Sequence, residues 1–142
     1  MKKSLSILFS LLLLAACDGE KTYVVGKNAL CSGLDESSDE SVFCIDSEKN
    51  PINGRVVQYY DNGKIFREMT IRGGRENGIE REFYENGNMH VVANVVNGKT
   101  DGESILYNED GSINMKIYWK SGVLESVSVY DENGNIIESV AE

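Results

Sequence analysis

One proline, one histidine and one tryptophan in 142 residues narrow the possibilities at once. The only proline, Pro51, leaves the chain from Ile52 onward free of a residue that cannot donate to a strand ladder. The only histidine, His90, leaves no second imidazole for a zinc set and no Ser-His-acid spacing. Cationic residues are also scarce: 14 Lys and Arg stand against 23 Asp and Glu, a formal charge of −9. That balance argues against a nucleic-acid surface, whose affinity comes from cations on phosphates. It also argues against attraction to anionic lipid, and favours solubility and a basic partner. No apolar run reaches the roughly 20 residues that a membrane-spanning helix needs. The longest runs from Leu5 to Ala16, interrupted by Ser6 and Ser10.

That run has a different meaning. Lys2 and Lys3 precede it and small residues close it, the pattern of a secretory signal. Its end, Leu14-Ala15-Ala16-Cys17, resembles the lipobox of bacterial lipoproteins. The resemblance implies cleavage before Cys17, a diacylglycerol on its thiol and an acylated new amino group. Two or more acyl chains anchor a protein firmly, at about 0.8 kcal/mol per buried methylene. Asp18 is similar to the signal that retains enterobacterial lipoproteins in the inner membrane, facing the periplasm. Losing Lys2 and Lys3 but no acid takes the formal charge from −9 to −11.

Outside the cytoplasm the two remaining cysteines, Cys31 and Cys44, read as a disulfide, with two free thiols as the alternative. Between them the acidic run from Asp35 to Ser41 reads as a solvated loop. Val42 to Ile45 reads as a short strand. The chain thus divides into a signal over 1–16, a lipidated and bridged stem over 17–43, and a repeat domain over 44–142.

The repeat domain is carried by glycine spacing. Gly54, Gly78 and Gly102 are 24 residues apart, as are Gly63, Gly87 and Gly111, and Gly74, Gly98 and Gly122. Gly134 opens a fourth, incomplete unit, one residue short. Ile65, Met69 and Ile71, then Met89, Val91, Ala93 and Val95, then Ile113, Met115, Ile117 and Trp119 alternate at period two, so each set lines one strand face. Glu68, Arg72, His90, Asn94, Asn114 and Lys116 hold the other face. Arg67 interrupts the apolar side of the first, edge-like unit. Asp61-Asn62-Gly63 and Glu85-Asn86-Gly87 predict tight hairpin turns. Asn108 to Gly111 and Asp131 to Gly134 predict turns one residue longer. The expected fold is all-β: an elongated antiparallel meander of stacked hairpins, its first edge capped by the Cys31–Cys44 segment and its last blunted by the polar tail from Glu138 to Glu142.

The unit Gly54-Arg55-Val56-Val57-Gln58-Tyr59-Tyr60-Asp61-Asn62-Gly63-Lys64-Ile65 recurs at Gly78 to Met89. It resembles the MORN-variant repeat, and more closely the repeats of the YwqK-type antitoxin family, over roughly residues 44 to 137. The resemblance implies an all-β repeat module and an antitoxin or immunity role; export would direct that role at a toxin acting on the envelope.

No catalytic set, phosphate loop or cofactor motif is present. An EF-hand would place Leu106 or Val129 at its first ligand position, and neither side chain ligates calcium. Tyr60, Tyr84, Tyr107 and Tyr130 form either a packed cross-strand ladder or an exposed binding strip. Trp119 reads as a core or edge-covering residue, and His90 as solvent-facing. The expectation is a non-enzymatic lipoprotein, held to a membrane by Cys17, that binds or scaffolds another protein and needs no cofactor.

Overall fold

The computed structural model describes residues 20–34 and 41–141. The signal, Cys17, Asp18 and the acidic run from Asp35 to Glu40 lie outside the described residues.

Among the described residues there are thirteen strands and no helix, and the strands form one open sheet. A cap comes first: β1 (Thr22–Val24), β2 (Ala29–Ser32) and β3 (Phe43–Asp46). The repeats follow as β4 (Gly54–Tyr59), β5 (Ile65–Arg72), β6 (Arg75–Glu76), β7 (Gly78–Phe83), β8 (Met89–Val96), β9 (Lys99–Thr100), β10 (Gly102–Tyr107), β11 (Ile113–Lys120), β12 (Val123–Tyr130) and β13 (Ile136–Ala141). The meander runs β4-β5-β7-β8-β10-β11-β12-β13, antiparallel at every step. Short strands β6 and β9 pair with the C-terminal halves of β5 and β8.

Two kinds of turn make this meander. At Asn97-Gly98 both residues have positive φ, 51° and 78°, as a type I′ hairpin requires. Gly73-Gly74 and Ser121-Gly122 repeat that turn. At the other end of each hairpin, Gly63, Gly87, Gly111 and Gly134 donate to the carbonyls of Tyr60, Tyr84, Asn108 and Asp131. These four turns have one length, so the longer third and fourth turns expected from sequence are not found. The fourth unit is short elsewhere. Asn77 and Asp101 separate β6 from β7 and β9 from β10, whereas β12 runs on unbroken from Val123.

The cap closes on the first repeat from both sides. β1 pairs in parallel with β4, and β3 pairs with β6. β1 turns into β2, and β2 pairs with β3 through Cys31 opposite Cys44. The two cysteines form a disulfide. Tyr23, Ala29, Val42, Cys44 and Ile52 from the cap side pack on Val56, Met69 and Ile71 of the first repeat. This ring holds the main core. Gly54 sits where β1 crosses closest: a Cβ there would stand 2.2 Å from the Lys21 carbonyl oxygen, which accepts the Arg55 N–H.

The last edge differs from expectation. The tail does not blunt it; the tail is the edge, because residues 136–141 pair with β12 as β13. All six residues of β13 are exposed, Ile136, Ile137 and Val140 among them.

Candidate binding surface

Register fixes what each face carries. One row crosses the whole sheet: Gln58, Arg67, Glu82, Val91, Leu106, Met115, Val129, Glu138. Its neighbour on the other face runs Val57, Glu68, Arg81, Val92, Ile105, Lys116, Ser128, Ser139. The first row belongs to the face that sequence alternation marks as apolar. That face is therefore apolar in its middle and charged towards the first repeats.

Arg67 is no edge residue. β5 lies between β4 and β7, and the Arg67 guanidinium pairs with Glu80 and, at 3.4 Å, with Glu82. Burial works against its charge, but Glu80, Glu76 and Glu82 outweigh that and hold it protonated. Glu76, opposite Ile71, is only 4% exposed, and its Oε1 has no hydrogen-bond partner. Burial, then Glu80, raises its pKa to about 7; Arg67 opposes the rise. Alternation along β5, β8 and β11 could not reveal this cluster. Its acids come from β6 and β7, and only the pairing places them beside Arg67.

On the opposite face Glu68 is buried between Arg55, at 3.1 Å, and Arg81, at 3.9 Å. His90 is not simply solvent-facing. Its ring lies against Tyr84, tilted by 41° with centroids 4.4 Å apart, and its Nδ1 lies 3.9 Å from Glu82.

The four tyrosines do not form one ladder. Tyr60 and Tyr84 follow strands β4 and β7, whereas Tyr107 and Tyr130 are the last residues of β10 and β12. The structural counterparts of Tyr60 and Tyr84 are Asn108 and Asp131, at the same place in the turn. Tyr60 donates its hydroxyl to the Phe83 carbonyl at 2.6 Å, and Tyr84 donates to the Tyr107 carbonyl at 2.7 Å. Each ties one hairpin to the next. In place of the ring contacts Tyr60–Phe66 and Tyr84–His90, the third unit has a hydrogen bond that the Asn114 side-chain amide donates to Asn108 Oδ1 at 2.7 Å. Tyr130 instead lines a shallow groove with Glu103, Lys116, Tyr118, Ser126 and Ser128.

The open surface lies at the other end of the sheet. Leu124, Val127, Val129 and Val140 line an apolar groove of about 330 Å³, edged by Glu125 and Glu138. Beside it runs β13, hydrogen-bonded to β12 on one side and, among the described residues, to no strand on the other. Trp119 pairs with Leu124 at the margin of this face and is half-buried. Among the described residues, no group of three or more His, Cys, Asp or Glu side chains is placed to hold a metal ion.

Residues 52–72 and 76–97 match the family model of the MORN repeat variant. These two units are MORN-variant repeats. They are the units whose turns carry Tyr60 and Tyr84, and the third and fourth hairpins continue their geometry with other side chains. No curated protein and no solved structure gives a significant match to the chain. The MORN-variant units supply the scaffold, the cap closes one end, and the other end presents an apolar face with a free edge.

Proposed function

We propose that this chain is a non-enzymatic lipoprotein, anchored in the bacterial envelope through Cys17, whose MORN-variant β-repeat domain binds or scaffolds another protein. One observation carries the binding role. The face that Tyr23, Val42 and Ile52 cover on the first repeat is uncovered on the last, where the apolar groove adjoins the free edge of β13. Exposed contiguous apolar surface next to an unpaired edge marks protein-interaction sites. The lipobox supports the anchor.

The test of binding is a photo-crosslinking residue placed in living cells at Leu124 or Val140, with Ile79 on the opposite face as reference. The reading expects one discrete adduct from the first two sites, lost in a Val129→Lys background. No adduct from either site, or the same adducts from Ile79, rejects it. The anchor is tested separately. Cys17→Ser should leave the domain folded and move it to the soluble fraction; retention in membranes after a salt wash rejects the lipoprotein.

A further inference from the structure

Carboxylates on the repeat strands take their counter-charge from the strand next to them. Glu82 of β7 stands directly opposite Arg67 of β5, and Glu68 of β5 opposite Arg81 of β7, with ion-pair distances of 3.4 Å and 3.9 Å. Glu80 also pairs with Arg67, Glu103 of β10 with Lys116 of β11, and Glu125 of β12 with Lys120 of β11. Glu76 is buried within reach of the Arg67 charge. Glu138 of β13 is the exception: among the described residues it has neither a cation beside it nor a hydrogen bond. Its neighbouring strand on the outer side is missing.

The register says what that strand would meet. The row Leu106, Met115, Val129 ends on Glu138, and the row Ile117, Val127 ends on Val140. With Ile136 two residues before Glu138, β13 offers apolar, acidic, apolar at period two along one face. Its other face offers Ile137, Ser139 and Ala141, which call for no charge. All six residues are exposed. β13 holds no Lys and no Pro, residues that commonly guard an edge. Its outward N–H and C=O groups are open to main-chain pairing.

Charge selects the occupant. Residues 121–142 hold five acids and no Lys, Arg or His. The cation before them, Lys120, answers Glu125 at 3.6 Å. Asp131 accepts the Asn133 and Asn135 N–H groups of its own turn. Nothing in this stretch answers Glu138. A second copy of β13 would bring no cation to it and five more acids beside it.

We propose that β13 accepts an added strand from a different protein: an extended segment carrying one Lys or Arg with an apolar residue two positions away on each side. The cation lies opposite Glu138, and the apolar residues lie beside Ile136 and Val140, extending the apolar rows that now end there. Because those three positions are symmetric about Glu138, the segment fits in either direction. This names the partner for the binding role proposed above and rests on that role.

The full chain, purified from membranes in a zwitterionic detergent, is titrated with two fluorescein-labelled peptides. One is Thr-Val-Thr-Lys-Thr-Val-Thr, and the other has Glu in place of the Lys. Exchanging attraction for repulsion at one cross-strand pair should make the lysine peptide bind about tenfold more tightly at low salt. Salt should narrow that gap. The lysine peptide should also slow hydrogen exchange in β13. Glu138→Lys changes an exposed side chain and should invert the preference. Equal binding of the two peptides, binding of neither, or an unchanged preference in Glu138→Lys overturns the added strand; a charge that only keeps edges apart gives the second of these. Mass spectrometry of the adducts crosslinked in living cells from Leu124 and Val140 separates this inference from the role beneath it. A trapped segment with a cation between apolar residues supports it. A trapped segment without one, or a second copy of this chain, overturns the added strand alone. No adduct from either site overturns the binding role, and the added strand with it.

Discussion

Single residues carry two features that composition does not show, and each has a measurable consequence. Glu76 is a carboxyl buried against the apolar face, with its pKa near 7 in the folded chain against an ordinary 4.5. The folded state therefore binds a proton that the unfolded chain has released. Stability contributed by the neutral form is complete at low pH and is lost as pH rises from about 4.5 to about 7. The loss is roughly 3 kcal/mol, less whatever relaxation and water entry recover. Glu76→Gln should flatten this part of the stability–pH profile and raise stability above neutral pH. Denaturant melts across that window check it, and an unchanged slope would show that Glu76 is ionised at little cost in the native chain. Tyr84 makes the second case. Tyr84→Phe keeps the ring on His90 and deletes the bond to the Tyr107 carbonyl, for an expected loss of about 1 kcal/mol. The same change at Tyr107, whose counterpart is Phe83, removes no such staple, so the two variants separate in a thermal melt. The sequence could not supply this distinction. Tyr59 and Tyr60 are adjacent, Phe83 and Tyr84 are adjacent, and a one-residue shift moves a side chain to a different role. Spacing by tyrosine therefore aligned Tyr107 with Tyr84, when the turn bonds align Asn108 with it.

At the scale of elements, the glycine periods were legible because each marks a turn, and turns are local. The hairpins, their order and the half-buried alternation on β5, β8 and β11 all follow from them. The cap was legible only in part. A cysteine pair in an oxidising compartment predicts a bridge, and Cys31 stands opposite Cys44. That β1 would run parallel to β4, or β3 beside β6, depends on contacts between distant segments that no local pattern encodes. The close crossing at Gly54 is the clearest mark of that docking, with φ 148° and the Lys21 carbonyl directly above it. Gly54→Ala should push β1 away from β4, at about 2–4 kcal/mol for steric strain plus the lost strand pairing. Hydrogen exchange at Thr22 to Val24 should accelerate well beyond the rate set by the global loss. If those amides stay protected, the backbone has shifted to accept the methyl and β1 is held elsewhere.

The whole molecule is a repeat array closed at one end. In such arrays stability is close to a sum of units and their nearest-neighbour interfaces. Here the terms are unequal. Val56, Val57, Met69 and Ile71 are fully buried in the first unit, partly beneath the cap, whereas β11 and β12 hold only half-buried or exposed side chains and β13 is exposed throughout. Apolar burial is the dominant stabilising contribution, so local stability should decline from β4 and β5 towards β13. Native-state hydrogen exchange at low denaturant should show the slowest amides in β4, β5 and β8, with β12 and β13 opening first as a separate unit. Reducing the Cys31–Cys44 bridge, which closes a loop with a separation of 13 residues, should cost about 3 kcal/mol and act first on the slow end. The fast end should be left nearly unchanged, reversing the usual expectation that a weak terminus reports every loss. Uniform exchange across the strands would mean that the array folds as one cooperative block. A partner seated in the groove beside β13 would then add affinity without ordering anything. If the gradient is present, that partner supplies the burial that the last repeat lacks, and its binding is read directly as slowed exchange in β12 and β13.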